Sequence, residues 1–242
     1  MMGKAVQIHN YGGPEVLSVE MIDVPTPGPG EVQIRHTVIG LNFIDVYMRT
    51  GLYPLPELPS GLGLEGSGFI ADVGEGVDNF QIGDRVAYAT PPVGAYAELR
   101  NITPEKLVKL PDSIDDKTAA AMMLQGMTAQ YLLRQTYEVK PGDTILMHAA
   151  AGGVGLIVCQ WAKHLGATVI GTVGSPEKAE LAKAHGCDHT ILYRDEIFKE
   201  RVQDITDGAG VEVVYDSIGK TTFMDGFKHS RPSMKVFLLM ES

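Results

Sequence analysis

A glycine-rich corner between two short apolar runs constrains this chain more than any other feature. The run from Thr144 to His148 predicts a buried strand, and the corner from Ala150 to Gly155 leads into an apolar-periodic helix that ends near Leu165. The apolar run from Ala167 to Val173 predicts a second strand. Strand, glycine turn, helix and strand in this order are typical of a βαβ unit.

The corner matches the dinucleotide-binding fingerprint with one substitution, Ala150-x-Gly152-x-x-Gly155 in place of three glycines. Ala150 is expected to keep the turn tight, Gly152 to let the backbone approach a pyrophosphate, and Gly155 to let the helix lie close to the strand. The amides at the helix start, at the positive end of its dipole, would bind phosphate. The alternative is a tight loop without a ligand, but the flanking strands and helix favour a dinucleotide.

The residues after the second strand indicate which dinucleotide would bind. An Asp or Glu about twenty residues past the glycines normally holds the ribose 2′-hydroxyl of NAD. This chain has Thr172, Val173, Gly174 and Ser175 there, and Lys178 follows one turn into the next helix. A hydroxyl and an ammonium would attract a 2′-phosphate and no carboxylate would repel it, so the sequence predicts NADPH. The alternative for Lys178 is a solvated surface lysine.

Charge and cysteine content argue against several other classes of protein. The formal net charge of −10 argues against a broad nucleic-acid-binding surface, which needs clustered Lys and Arg. The spacing of Cys159 and Cys187 fits neither a metal site nor a disulfide framework, so both are expected to be core thiols in a reducing compartment. No run reaches the roughly 18 apolar residues of a membrane span, and no signal peptide is evident. These features predict a cytoplasmic protein that does not enter membranes.

The residues before this unit are β-rich, and those after it alternate between helix and strand. Strands are predicted at 4 to 9, 16 to 24, 32 to 41, 68 to 73, 85 to 89 and 95 to 99, in a compact, barrel-like domain. Asn42 is expected to cap a short helix that ends at Arg49. The segment after Ser113 predicts two helices broken near Gln125-Gly126, which marks the domain boundary.

The second domain is predicted to hold a parallel, doubly wound sheet, because its strands are separated by helices. The predicted elements are helix 176 to 185, strand 189 to 193, helix 195 to 206, strand 211 to 216, helix 219 to 228 and strand 235 to 239.

These features resemble the medium-chain dehydrogenase/reductase superfamily. The run Gly142-Asp143-x-x-Leu146-x-x-x-Ala150-Ala151-Gly152-Gly153-x-Gly155-x-x-x-x-Gln160-x-x-Lys163 is similar to the signature of the quinone oxidoreductases that include zeta-crystallin. The runs YGGPEVL, GLNFIDVYMRTGLYP, GDRV and VVYDSIG also resemble that family, and the likeness covers residues 4 to about 227. The resemblance implies an α/β protein with a GroES-like β-barrel-type domain at 1–126 and a doubly wound Rossmann domain at 127–242.

The resemblance further implies an NADPH-dependent reductase of quinones whose active site lies in the cleft between the two domains. The residues that it places in the site are Asn42, Phe43, Ile44, Asp45 and Tyr47 beside the nicotinamide and substrate, Tyr53 in the quinone pocket, Gln125 and Thr128 near the nicotinamide, Gly153 and Val154 under the pyrophosphate, Gly174, Ser175, Lys178 and Tyr193 around the 2′-phosphate, and Asp216 and Ser217 beside the nicotinamide ribose. Asn42, Asp45, Tyr47 and Tyr53 are the candidate catalytic residues.

Each candidate also has a purely structural alternative. Asn42 is equally consistent with a helix cap, Asp45 with a surface carboxylate, and Tyr47 and Tyr53 with half-buried barrel tyrosines. Thr128 could be a mid-helix threonine without a ligand, and Tyr193 could simply end a strand.

Zinc members of the superfamily differ from this chain at two positions. Where they carry a cysteine and a histidine, this chain has Asn42 and Leu64, with Glu65 next in sequence, and their cluster of four cysteines is missing. Zinc prefers thiolate and imidazole, so the sequence predicts a metal-free site. The nicotinamide would then carry the reducing chemistry, while Asn42 or Tyr53 would stabilise charge on a carbonyl oxygen.

The C-terminal residues depart from the family pattern after Phe227, and the chain stops at Ser242. The Rossmann domain is therefore expected to lack its last strand, which would leave the fifth strand as an exposed edge and argue against the usual homodimer. The N-terminal core would also be less well covered, so we expect lower stability and reduced activity relative to complete relatives.

Three functions remain open from the sequence. An NADPH:quinone oxidoreductase is favoured. The second is an NADPH-dependent reductase of activated C=C bonds such as enones, so the small-molecule partner is a quinone or an enone. The third is a cofactor-binding protein without turnover, such as a lens-type structural protein, an RNA binder or a truncated remnant; the acidic charge argues against RNA, whereas the C-terminal departure favours a remnant.

Overall fold

The computed structural model describes residues 1–219, 222 and 235–238. The chain divides into two compact units, Met1–Leu124 and Gln125–Ser242, and each is described by itself. The predicted helix over 219 to 228 lies largely outside the described residues.

The first unit is a β structure built from two antiparallel sheets. Its strands are β1 Met2–Ile8, β2 Ser18–Asp23, β3 Val32–Gly40, β4 Ser60–Gly61, β5 Glu65–Val73, β6 Arg85–Ala89, β7 Leu99–Ile102 and β8 Val108–Lys109. One sheet has the order β2-β1-β4 and the other β7-β3-β5-β6-β8. Val32, Ile34, Ile70, Val86 and Tyr88 form the centre of the larger sheet's core. The predicted barrel-like β domain is confirmed.

One predicted strand of this unit is wrong, and one starts earlier than expected. The strand predicted at 95 to 99 is instead β7, Leu99–Ile102. The residues before β7 do not extend this strand, because the N–H groups of Ala95 and Tyr96 donate to the carbonyls of Gly63 and Leu62. Strand β5 begins at Glu65, three residues before the predicted start at Gly68, which places a carboxylate inside a buried strand.

The two helices predicted around Gln125-Gly126 are a single helix, α2, which runs over Asp116–Tyr131. Glycine costs only about 1 kcal/mol relative to alanine inside a helix, and the helix-forming alanines around Gly126 outweigh that cost. A π-helical turn over Leu132–Thr136 follows α2. The Tyr215 hydroxyl donates to the Leu132 carbonyl over 3.0 Å and so ties this turn to the second unit's core.

The second unit contains a five-stranded parallel sheet with helices on both faces, as predicted. Its strands are β9 Thr144–Met147, β10 Thr168–Val173, β11 His189–Leu192, β12 Val213–Asp216 and β13 Lys235–Leu238, and its helices are α3 Gly153–His164, α4 Pro176–Ala184 and α5 Phe198–Ile205. The strand order is β11-β10-β9-β12-β13. The order reverses between β9 and β12, which is where doubly wound sheets bind ligands beyond the carboxyl ends of the strands.

The strands of this sheet are rich in buried apolar residues because both faces of the sheet are covered. Ile145 and Val169 pack with residues of α3 and α4, whereas Leu146 and Ile170 pack with residues of α5. Helix α5 starts at Phe198 and not at the predicted residue 195. The N–H groups of Asp195 and Glu196 both donate to the Leu192 carbonyl, and this turn delays the helix.

Helix α1, Phe43–Thr50, lies in the first unit and starts as predicted from Asn42. Asn42 is in an extended conformation at the N-cap, and Gly51 ends the helix in a left-handed conformation with φ of 82°. The helix therefore presents its first residues at the end of β3, beside the start of β5.

Candidate functional site

The corner after β9 is held in one shape by its own backbone. Ala149 has a left-handed conformation with φ of 54°, and its carbonyl accepts a hydrogen bond from the Gly152 N–H over 2.8 Å. The Ala150 N–H donates to the Thr172 carbonyl on β10 over 3.1 Å. These two bonds turn the chain directly from β9 into α3, whose N-cap is Gly152.

At Gly155 this corner has no room for a side chain, and at Gly153 a side chain would have to displace that of Gln125. A Cβ on Gly155 would lie 2.7 Å from the Ala150 carbonyl carbon, so only glycine lets α3 approach the corner this closely. A Cβ on Gly153 would lie 2.6 Å from the Gln125 side-chain nitrogen, so the predicted residue Gln125 contacts the first residue of α3. The first-turn amides of α3, including that of Val154, have no intrahelical acceptor. The corner therefore fits the diphosphate of a dinucleotide.

The next corner, after β10, contains the residues predicted to surround a 2′-phosphate. The Thr172 hydroxyl is buried and bonds to the His148 ring nitrogen Nδ1 over 2.9 Å, so Ser175 is the hydroxyl that remains available at this corner. Ser175 is the N-cap of α4, and its oxygen accepts a hydrogen bond from the Lys178 N–H over 3.4 Å. A Cβ on Gly174 would lie 3.0 Å from the Tyr193 hydroxyl oxygen, so the phenol lies over Gly174.

Two charged residues at this corner were missed by the sequence argument. The Arg194 guanidinium carbon lies 6.0 Å from the centre of the Tyr193 ring. Glu177 lies in the first turn of α4, where hydrogen bonding from Ser175 and from its own backbone N–H lowers the pKa of its carboxyl. Residues 172–175 contain no carboxylate, as the sequence argument notes, but the first turn of α4 adds one at Glu177.

Behind the glycine corner, His148 and Asp216 are buried at the ends of β9 and β12. Burial lowers the pKa of His148, and its ring packs edge-on against Phe198 with 5.1 Å between ring centres. One Asp216 oxygen accepts hydrogen bonds from the Ile218 and Gly219 N–H groups, and the other accepts one from the Thr222 hydroxyl. The Asp216 carboxylate thus orders the turn that carries Ser217.

In the first unit, Asn42 and Asp45 belong to a buried hydrogen-bond network. The Asn42 backbone N–H donates to the Asp45 carboxylate over 2.9 Å, and the Tyr96 hydroxyl donates to the same oxygen over 2.8 Å. The Asn42 side-chain amide donates to the Glu65 carboxylate over 2.6 Å, and the other Glu65 oxygen accepts the Leu124 N–H. Asn42 is thus a helix cap, and the alternative that Asp45 is a surface carboxylate is wrong.

Burial sets the electrostatics of this network. It raises the pKa of Asp45 and of Glu65, and the hydrogen bonds from Asn42 oppose that rise in both carboxyls. Tyr96 was missed by the sequence argument, and Glu65 was noted only for its place next to Leu64. No local pattern signals this network, because its members come from α1, β5 and the loop before β7.

Three aromatic side chains form a continuous surface on and after α1. Phe43 meets Tyr47 edge-on with 5.2 Å between ring centres, and Tyr47 meets Tyr53 with 5.4 Å. Phe43 is 64% exposed and the tyrosines are partly exposed. Exposed rings of this kind offer flat faces to a planar molecule. Ile44 on α1 and Thr128 on α2 are partly buried.

The part of the chain that the structure describes contains neither a metal-binding cluster nor a helix that could span a membrane. Across residues 1–219, 222 and 235–238, no three or more His, Cys, Asp or Glu side chains are grouped to bind a metal ion. Within the same ranges, no helix has the length and apolar character needed to cross a membrane.

Comparison with known proteins places both units in described families. The alcohol dehydrogenase GroES-like domain matches residues 28–112, and the zinc-binding dehydrogenase model matches residues 153–239. A quinone oxidoreductase of Pseudomonas aeruginosa is 60% identical over 92% of this chain and 68% of its own length. A 2-haloacrylate reductase of Burkholderia sp is 51% identical over 96% of this chain and 71% of its own length.

A solved structure extends these similarities to the fold. The crystal structure of Escherichia coli quinone oxidoreductase complexed with NADPH is 47% identical and has a TM-score of 0.94. The match covers 96% of this chain and 72% of that chain.

Proposed function

The chain belongs to the quinone oxidoreductase family of the medium-chain dehydrogenase/reductases, and from this we propose that it oxidises NADPH and reduces small quinones. The observation that carries the proposal is the corner at Gly153 and Gly155, where a side chain would collide with Gln125 and with the corner's own backbone. Such a close approach of backbone and helix start suits a diphosphate. The E. coli relative, with the same fold, is complexed with NADPH.

In this proposal each unit has a separate task. In the second unit, the first amides of α3 hold the diphosphate, while Ser175, Lys178 and Tyr193 contact the 2′-phosphate. Ser217, after β12, lies at the strand end where a doubly wound sheet receives the nicotinamide ribose. When bound, the nicotinamide supplies the reducing equivalents.

The first unit is proposed to hold the quinone. The rings of Phe43, Tyr47 and Tyr53 provide flat apolar faces for a planar acceptor, and Tyr53 also offers a hydroxyl. The proposal assigns no step to a metal, because Asn42 and Leu64 stand where the zinc relatives have a cysteine and a histidine. Rate enhancement would then come from orientation of the acceptor and stabilisation of charge on its oxygen. Location in the cytoplasm stays a prediction.

Reduction of an activated C=C bond is the second candidate function. It is supported by the 2-haloacrylate reductase of Burkholderia sp, which is 51% identical to this chain. The aromatic surface of α1 does not distinguish the two acceptors, since enones and quinones are both planar and electron-poor.

A single assay separates the candidates. The purified protein would be mixed with NADPH and either 1,4-benzoquinone, 2-chloroacrylate or an enone, and the loss of NADPH absorbance would be followed against a protein-free blank. We expect turnover with the quinone that persists after treatment with a chelator. Turnover with 2-chloroacrylate or the enone alone would favour the second candidate. NADPH binding without turnover would favour a non-enzymatic binder, and absence of NADPH binding would contradict both enzymatic functions.

A further inference from the structure

A buried arginine lines a large cavity of the first unit and has no acidic partner there. Arg100 on β7 is 7% exposed and lines a cavity of about 860 Å³. Its Nη1 donates to the Tyr88 hydroxyl over 3.3 Å, and its Nη2 donates to the Pro92 carbonyl over 3.1 Å. Across the residues that the structure describes, Arg100 forms no ion pair with a carboxylate.

The groups that hold Arg100 are neutral. Burial lowers the pKa of His36 to about 4, so its ring is uncharged at neutral pH. The Ala97 carbonyl can only accept, so the ring proton is on His36 Nδ1, and Nε2 accepts the Tyr88 proton over 2.6 Å. Tyr88 is therefore an uncharged phenol, and its ring centre lies 5.1 Å from the Arg100 guanidinium carbon. This contact offsets part of the lost hydration, but a buried charge is normally paired with an opposite one.

A second cation reaches the same end of the cavity. The Lys106 ammonium donates to the Pro91 carbonyl over 2.5 Å, and Arg100 contacts the next carbonyl, that of Pro92. Lys106 is half-buried and also lines the cavity. Like Arg100, it forms no ion pair within the described part of the chain. This end of the cavity therefore carries two positive charges side by side.

Three carboxylates line other parts of the cavity. Asp23 pairs with the N-terminal ammonium over 3.0 Å, and Glu31 accepts the Gly28 N–H over 3.0 Å. Glu57 is exposed on the loop before β4. Because these acids would repel a second negative charge on a ligand, the cavity favours a monoanion over a dianion.

Much of the remaining wall is apolar. It includes Val24, Met48, Pro54, Leu55, Leu64 and Val93. A cavity of this size, with an apolar wall and a few polar groups at one end, is typical of small-molecule sites. The planar guanidinium matches a carboxylate in shape, and Tyr88 and Pro92 engage only two of its five N–H groups.

We propose that this cavity binds an aliphatic monocarboxylate. The carboxylate contacts Arg100 and Lys106, and the carbon chain lies along the apolar wall. Phe43, Tyr47 and Tyr53 do not line this cavity, so the inference does not depend on where the quinone binds.

The test compares ligands on the unmodified full chain. An isotope-labelled sample would be titrated by NMR with hexanoate, with hexanamide and with inorganic phosphate at one ionic strength. We expect hexanoate to shift the amide signals of Gly94, Arg100 and Asn101 until they saturate. Hexanamide has the same chain without the charge and should bind about tenfold more weakly. Phosphate lacks the chain and should also bind more weakly than hexanoate.

Variants test the two cations. Lys106→Gln should weaken hexanoate binding about fivefold. Lys117→Gln makes the same charge change at an exposed position of α2 outside the cavity and should leave the affinity unchanged. Arg100→Lys keeps the charge but loses the planar fork, so it should weaken binding about tenfold. If Arg100→Lys does not fold, the Lys106 and hexanamide comparisons still decide the question.

Several results would overturn the inference. They are equal affinities for hexanoate and hexanamide, equal affinities in Lys106→Gln and Lys117→Gln, tighter binding of phosphate than of hexanoate, and the absence of a saturable shift in the unmodified chain. NADPH titration of the same samples tests the proposed function separately, because a failure to bind NADPH leaves the hexanoate result unaffected.

Discussion

The Asn42 side-chain amide donates a hydrogen bond to the Glu65 carboxylate over 2.6 Å, and both residues are buried. Glu65 also accepts the Leu124 backbone N–H over 2.8 Å. The Glu65 carboxylate thus links the N-cap of α1 to α2. It also orients the Asn42 side chain so that the amide nitrogen faces Glu65. In the proposed function, Glu65 is a positioning residue for Asn42.

Two replacements of Glu65 should lower stability to different extents, because only one of them keeps a hydrogen-bond partner for Asn42. Glu65→Ala leaves the buried Asn42 amide without its acceptor, so the free energy of unfolding should fall by about 2–3 kcal/mol. Glu65→Gln keeps an oxygen for Leu124, and Asn42 can rotate to accept from the new amide, so the loss should be about 1 kcal/mol. Urea unfolding measures both, with Glu57→Ala at an exposed loop position as the control. Equal losses in the two Glu65 variants would contradict this account.

A methyl group at Gly155 should disturb the corner. Gly155→Ala places a Cβ 2.7 Å from the Ala150 carbonyl carbon, and backbone cannot yield as a side chain can. We expect a loss of about 2–3 kcal/mol in stability and at least about tenfold weaker NADPH binding. Gly126→Ala is the matched control, because a Cβ there meets open space within α2 and should stabilise by about 0.5–1 kcal/mol. The prediction fails if both variants behave alike in thermal unfolding and in NADPH titration.

Lys178 should discriminate between the two dinucleotides. Lys178→Ala removes an ammonium from the first turn of α4, so NADPH affinity should drop about tenfold while NADH affinity changes little. Lys183→Ala on the same helix removes a lysine paired with Glu180 and serves as the control. Fluorescence titration with NADPH and with NADH measures the two affinities in each variant. Equal weakening of NADPH and NADH would show that Lys178 does not contact the 2′-phosphate.

His36 should make stability depend on pH in the acid range. Its ring lies between the Ala97 carbonyl and the Tyr88 hydroxyl, at 2.6 Å from each, and burial lowers its pKa to about 4. The unfolded chain takes up a proton below about pH 6.5, whereas the folded ring stays neutral down to its lowered pKa. Stability should therefore fall by about 2–3 kcal/mol from this group as pH falls from 6.5 to 4.

Comparison of variants isolates this contribution. The raised pKa values of Asp45 and Glu65 act in the opposite sense, because the folded state then holds protons that the unfolded state releases. Urea unfolding of His36→Gln should show a weaker loss between pH 6.5 and 4 than the unmodified chain. His164→Gln, at an exposed position on α3, is the matched control. If His36→Gln loses as much stability between pH 6.5 and 4 as the unmodified chain, then groups other than His36 cause the loss.

Local chemistry was sufficient to predict much of the fold. The glycine corner, the apolar strands β9 and β10 and the Asn42 cap depend on residues within a few positions of one another, so their patterns are visible in the chain. The boundaries were less predictable where distant partners decide them. Strand β7 was misplaced because the N–H groups of Ala95 and Tyr96 bond to the loop at Leu62 and Gly63.

Backbone geometry and hydrophobic periodicity are local properties, so the two-unit architecture, the parallel sheet and the corner suited to a dinucleotide could be predicted from the residues alone. The use of the polar side chains could not, because it follows from contacts made on folding. Asp45 and Glu65 are buried against Tyr96 and Asn42, and the Thr172 hydroxyl bonds to His148. A polar group's role depends on which donors, acceptors and charges surround it, and the folded chain brings those together from residues far apart in sequence.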